Sequence, residues 1–306
     1  MSRRTPAPRH VTDRGGVLLT ILSAIFFGTL AVFGKKADGL GISVTELLAI
    51  RFGGAAVLLV ALSVLRGERL WWGRRSAGLV VMGLLYVGQA ATYFTSLQTV
   101  PAAVTSILLY LYPVLVMLLA AVFLHERIGP VRVVALLLAV AGVFLVVDPL
   151  SVHGGIDRTG ILLGLATAAV YATYILTGRA LMRDVPAVVA TATISVTAAV
   201  AFAIAGVATG QLHALTPAGY ALALSMSVVA TAVPATLFLA GLARVGATRA
   251  AILSTFEPAV TVVLAAVLLG EDLGPVRLVG GAVILAAAVT VARSVPASLA
   301  SPAARE

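Results

Sequence analysis

The chain has 306 residues, of which 60% are apolar and 11% charged, with a mean hydropathy of +1.09. Soluble chains carry about 45–50% apolar and about 25% charged residues, so a soluble domain or a disordered chain is excluded, and the lack of cysteine excludes a disulfide scaffold. The net charge of +9 points to nucleic acid only if the basic residues share a water-facing surface.

Roughly 20 mostly apolar residues are needed to cross the hydrocarbon core of a bilayer as a helix. Ten stretches meet that need in chain order: Gly16–Gly34, Ser43–Leu65, Ala77–Leu97, Pro101–Leu124, Val131–Val147, Gly160–Gly178, Ala187–Ala208, Ala218–Leu242, Ala247–Leu269 and Val276–Val295. They are apolar all round rather than alternating, which favours helices over a β-barrel. Residues 1–15, although rich in arginine, precede an apolar run too long for a signal peptide and without a convincing cleavage site, so the first span is read as retained. Residues 296–306 form a short polar tail and 148–159 a linker.

With both termini placed in the cytoplasm, sixteen of the 21 basic residues fall on that side, and only Lys35, Lys36, Arg158 and Arg277 fall outside. Arg51 lies within a span. This bias follows the positive-inside rule. The charge therefore sets orientation in a lipid bilayer, and nucleic acid is not an expected partner.

The chain also repeats itself. At an offset of 145 residues, Val100–Leu145 aligns on Val245–Thr290 without gaps, with about 17 of 46 positions identical. Pro113 falls on Pro258, Glu126 on Glu271, and Gly129-Pro130-Val131-Arg132 on Gly274-Pro275-Val276-Arg277. Five spans per copy is an odd number, so the second copy is inverted relative to the first. The predicted fold is all-α and integral to the membrane: ten transmembrane helices as two inverted five-helix repeats, 16–147 and 160–295. Inverted repeats are a building plan of secondary transporters.

The Phe-Gly-Thr end of the first span with Lys35, the Arg51-Phe52 pair, Leu111-Tyr112-Pro113-Val114, Phe123-Leu124-His125-Glu126, Phe256-Glu257-Pro258 and Leu268-Leu269-Gly270-Glu271 carry a further reading. With these motifs the chain resembles a bacterial member of the drug/metabolite transporter superfamily with two tandem EamA domains, over about residues 17–292. The resemblance implies a ten-helix carrier with a central cavity, commonly an exporter of amino acids or other small metabolites. It does not name the cargo.

Glu257 is the most informative single residue. At about 1.5 Å per residue it lies roughly 15 Å into its span, near the midplane. A charge there costs about 2.5–3.5 kcal/mol, so the side chain should face the bundle interior, be paired or be protonated. A carboxyl in such surroundings is a candidate for proton exchange. Arg51 lies at a similar depth, which makes it a candidate ion-pair partner, a receptor for a substrate carboxylate, or a cap on backbone carbonyls within its own half. Pro113 and Pro258 each remove an intrahelical bond, freeing the carbonyls of Leu109 and Ser254 and permitting kinks at corresponding places in the two copies.

Polar stripes mark three spans: Tyr86, Gln89, Tyr93 and Ser96; Thr167, Tyr171 and Tyr174; and Ser254, Glu257 and Thr261. Gln89 and Tyr93 are the preferred binding residues, followed by Tyr110 and Tyr171, with Glu257 in the same cavity. Serine and threonine in such stripes also serve as interhelical glue. Glu126 and Glu271 read as helix caps. His125-Glu126 begins like a zinc-binding His-Glu-x-x-His, but Gly129 stands at the last position. Neither metal nor cofactor is expected.

The chain is thus expected to be a multi-pass protein of the bacterial inner membrane that exports small polar or aromatic solutes, such as amino acids, by alternating access, driven by proton exchange or running as facilitated diffusion. No catalytic residue is assigned. The rival reading is a polytopic membrane enzyme acting on lipid or isoprenoid substrates, which would want acids or histidines clustered at a membrane face.

Overall fold

The computed structural model describes residues 14–70, 73–124, 130–147, 157–181, 185–245, 250, 253–254, 256–270 and 274–293. Glu126, Glu271, residues 148–156 of the linker and both tails lie outside them. Among the described residues the regular structure is entirely helical. The first apolar stretch forms α1 (Arg14–Phe27) and α2 (Leu30–Gly39), followed by α3 (Val44–Leu65) and α4 (Arg74–Thr99). The fourth stretch is divided into α5 (Ala102–Leu109) and α6 (Tyr112–Leu124), and α7 (Pro130–Val147) follows. In the second half, α8 (Arg158–Leu181) and α9 (Ala187–Thr209) are continuous. After them α10 (Pro217–Ser227) passes through a π-helical turn, Val228–Ala232, into α11 (Val233–Val245), and the chain ends in α12 (Phe256–Leu269) and α13 (Pro275–Arg293).

Among the described residues, six helical stretches are long and apolar enough to cross a membrane: Gly15–Gly39, Val44–Leu65, Arg74–Thr99, Arg158–Gly178, Ala187–Thr209 and Pro217–Arg244. Pro275–Ala287 is a shorter apolar helix.

Local chemistry explains the helix ends. Ser43 and Glu46 form a capping box at the start of α3: the Glu46 N–H donates to Ser43 Oγ at 3.2 Å and the Ser43 N–H to Glu46 Oε2 at 3.0 Å. Thr216 accepts from the Gly219 N–H at 3.1 Å, with Pro217 at the first helical position of α10. Gly210, at φ 64°, ends α9 in the left-handed conformation.

Asp157 caps α8 and also joins it to α4. Its carboxylate accepts from the Thr99 hydroxyl and from the N–H groups of Thr159 and Gly160, which hold its pKa below the usual aspartate range. A group whose pKa is lowered by folding contributes stability above its unfolded value and loses it as the pH falls through the folded value. Asp157→Asn should therefore destabilise the protein at neutral pH, and the difference from the parent should vanish in acid below the usual aspartate range. Thermal unfolding of both proteins across pH in detergent checks this.

Four helix pairs carry much of the packing: α3 on α9, α4 on α8, α1 on α11, and α7 on α13. Small residues permit the close approaches. A Cβ on Gly142 of α7 would stand 2.9 Å from the Gly280 carbonyl of α13, and one on Gly164 of α8 would stand 2.8 Å from a Leu108 methyl. Ser96 of α4 donates to the Gly160 carbonyl of α8 at 2.8 Å and shares a hydrogen bond with Thr105 of α5 at 3.1 Å.

Candidate substrate site

Four apolar stretches lose helical continuity: at Gly28–Thr29, at Tyr110–Leu111, at the π-turn Val228–Ala232, and ahead of Phe256. The two expected proline kinks are in fact breaks. Pro113 and Pro258 lie in the first turns of α6 and α12, where a missing N–H leaves no bond unmade. In each case the interruption falls just upstream of the proline.

Three of these breaks, all but the π-turn, meet around Glu257. The Glu257 N–H donates to the Ser254 carbonyl at 3.0 Å, and the Tyr110 hydroxyl donates to the same carbonyl at 2.8 Å. Tyr110 therefore adds, from the first half of the chain, a second donor to the carbonyl that receives the Glu257 N–H. The Tyr110 hydroxyl is also a hydrogen-bonding neighbour of the Glu257 carboxyl, and Tyr86, Tyr112 and Tyr171 are close enough to interact with that carboxyl electrostatically. On another side Thr261 Oγ1 donates to the Gly28 carbonyl at 3.2 Å. A Cβ on Gly28 would stand 2.7 Å from Val260 Cβ and 3.2 Å from the Glu257 carbonyl oxygen, so the break in the first stretch is packed directly against α12. Glu257 itself remains partly accessible.

Arg51 is 1% exposed. Its Nε donates to Thr231 Oγ1 at 2.6 Å and its Nη2 to the Ala230 carbonyl at 3.3 Å. The guanidinium carbon lies 4.7 Å from the Phe52 ring centre and 5.3 Å from that of Phe94. Among the described residues Arg51 and Glu257 form no ion pair; Tyr86 interacts with both. The cause is local: Pro234 has no N–H to offer the Ala230 carbonyl, and Arg51 supplies the donor. The carbonyl belongs to the second half of the chain, not to the half that holds Arg51.

A narrow cavity of about 10 Å³, room for a single water-sized molecule, opens between α1, α4, α8, α9, the π-turn and α11. Aromatic side chains form much of its wall: Phe27, Tyr86, Tyr171, Tyr174 and Phe238. Hydroxyls of Thr191, Ser195 and Thr231 complete it together with aliphatic groups. Ring contacts extend the aromatic wall toward Glu257, with Tyr171 stacked on Tyr174 at 5.8 Å and Tyr112 edge-on to Tyr171 at 4.8 Å.

Of the residues singled out from the sequence, Tyr86, Tyr171 and Tyr174 line this cavity, and Tyr110 and Glu257 stand beside it. Gln89 and Tyr93 are buried elsewhere on α4, where Tyr93 shares a 3.0 Å hydrogen bond with Ser106 of α5. Thr191, Ser195, Thr231, Phe27 and Phe238 were not anticipated. Thr191 and Ser195 carry the one readable signal, a pair of hydroxyls four residues apart on one face of an otherwise apolar span.

Comparison with known proteins places this geometry in context. The model of the EamA-like transporter family matches twice, over residues 14–148 and 158–293. An uncharacterized transporter of Archaeoglobus fulgidus is 32% identical over 279 residues, covering 89% of this chain and 94% of that protein. The threonine/homoserine exporter RhtA of Salmonella typhimurium is 32% identical over 216 residues, 69% of each chain. The pseudopaline exporter CntI of Pseudomonas aeruginosa is 30% identical over 142 residues, 45% of this chain and 48% of its own. A crystal structure of another protein superposes with a TM-score of 0.70 over 90% of this chain and 97% of that one; at 19% identity the likeness concerns the fold alone.

Proposed function

The chain belongs to the EamA-like transporter family, and from that premise we propose that it exports small polar metabolites, amino acids among them, by alternating access around the Glu257–tyrosine cluster. The observation that carries this reading is the meeting of interrupted helices from both halves of the chain at one half-buried acid beside a narrow aromatic cavity. Broken helices at a repeat interface are where secondary transporters hold substrate. The cavity is too small for a metabolite, so binding requires its walls to part, and closure on either face is what a carrier needs.

In this reading the protein comprises ten spans in two inverted repeats, 16–147 and 160–295, with both termini in the cytoplasm of the inner membrane. The helix packing supports it. Exchanging the halves turns the α4–α8 pair into the α1–α11 pair and returns α3–α9 and α7–α13 to themselves. Contacts also join segments assigned to one face: Thr99 meets Asp157, and the His213 N–H donates to Glu46 Oε1 at 2.7 Å. Glu257 is the proton-exchanging group, Arg51 secures the π-turn, and Tyr110 links the breaks of the two repeats. The relatives with a stated role are exporters, which leaves the membrane-enzyme reading without support.

The test is transport by the purified protein in liposomes, challenged with a metabolite panel that includes threonine and homoserine. Export of at least one solute above protein-free liposomes is expected. No movement of any solute under any imposed gradient would refute the proposal. A reporter fused to the C-terminus checks orientation, and a signal from outside the cell would overturn the repeat arrangement.

A further inference from the structure

Resting on the carrier reading, we infer that this site grips its cargo by an ammonium group, held by Glu257 and the tyrosine faces, and that Arg51 does not receive a substrate carboxylate. The argument begins with the cavity wall. Phe27, Tyr86, Tyr171, Tyr174 and Phe238 present π-systems, whose faces are electron-rich and attract cations. The threonine hydroxyls add to the same polarity. Thr191 Oγ1 donates its proton to the Ala187 carbonyl at 2.8 Å and Thr231 Oγ1 to the Met226 carbonyl at 3.1 Å, so neither has a proton left for the cavity; Thr231 Oγ1, which also accepts from Arg51, keeps one lone pair.

The charged groups nearby complete the pattern. Among the described residues no cationic side chain lines the cavity. Arg51 lies behind Thr231, is 1% exposed, and is engaged by Thr231, the Ala230 carbonyl, two aromatic rings and Tyr86. Freeing it for a carboxylate would break its bonds to Thr231 and to the Ala230 carbonyl. Glu257 differs in each respect: it is partly accessible, in contact with one tyrosine hydroxyl, and next to Tyr171 on the cavity wall. A group that is cationic and rich in N–H donors complements every one of these surfaces. A carboxylate meets ring faces and lone pairs.

The experiment compares ligands in matched sets on the purified full chain, by calorimetry or thermal shift: L-threonine, N-acetyl-L-threonine and L-threoninol, with the same trio built on homoserine, leucine and phenylalanine. Acetylation removes the ammonium, and the amino alcohol removes the carboxylate. The amino alcohols should bind within a few-fold of the parent amino acids, and acetylation should weaken binding at least about tenfold. Glu257→Gln should erase that preference.

Acetylated compounds that bind as well as their parents, alongside amino alcohols that do not bind, would overturn the inference while leaving the carrier reading intact. Amino alcohols that bind where amino acids neither bind nor move would support ammonium recognition and remove amino acids as the cargo. Absence of binding in every set would overturn the inference.

Discussion

Glu257→Gln is expected to give a folded protein whose transport no longer responds to a proton gradient. Glutamine has nearly the shape of a protonated glutamic acid, and its amide can donate to the Tyr110 oxygen, whose own proton goes to the Ser254 carbonyl, so the contacts that join α5 to α12 survive. What it loses is the exchangeable proton. Flux driven by a substrate gradient alone should persist at reduced affinity, weakened by about 10- to 100-fold for the loss of one charge-assisted contact. The acceleration on imposing a pH gradient should disappear. Uptake into liposomes with and without that gradient, for parent and variant, gives the answer, and an unchanged proton dependence would rule out coupling through Glu257.

The Arg51→Met variant should fail for a different reason. Methionine fills the space but leaves the Ala230 carbonyl and Thr231 Oγ1 without their donor. An orphaned buried carbonyl costs about 1–3 kcal/mol. Attraction to the Phe52 and Phe94 rings is lost as well, although the guanidinium no longer has to be desolvated. A net loss of about 2–4 kcal/mol follows, visible as a lower unfolding temperature in detergent. Arg51→Lys should recover only part of it, because one ammonium cannot reproduce the planar fork that reaches Thr231 and Ala230 together. If Arg51 served instead as a carboxylate receptor, the methionine variant would keep its stability and lose only substrate affinity.

These two variants mark how far the sequence could be read. Six helical stretches among the described residues fall where apolar run length placed spans, because twenty apolar residues have few ways to satisfy their backbone except as a helix. Glu257 stood out for a similar reason, as a lone acid deep in an apolar run. Depth, however, is only one coordinate. Chain spacing sets Arg51 and Glu257 at a similar depth but says nothing of lateral position, and in the structure Tyr86 interacts with both.

The partner of Arg51 was hidden for a second reason. A π-turn is a one-residue shift in hydrogen bonding with no compositional signature, and Pro234 was the one available mark of it. Tyr93 illustrates the opposite error. It shares a helix face with Tyr86, yet its hydroxyl binds Ser106 of the adjacent helix, so a polar stripe proved to be part cavity wall and part interhelical glue.

The central claim, that this cavity opens to each side of the membrane in turn, can be tested at Ser195. The chain contains no cysteine, so Ser195→Cys introduces a single thiol on the cavity wall, at a position 1% exposed in the closed form. An impermeant thiol reagent applied to oriented vesicles is predicted to label it from either face, and a transported solute should slow both reactions. Labelling from one face only, whatever gradient or solute is imposed, would contradict alternating access at this site.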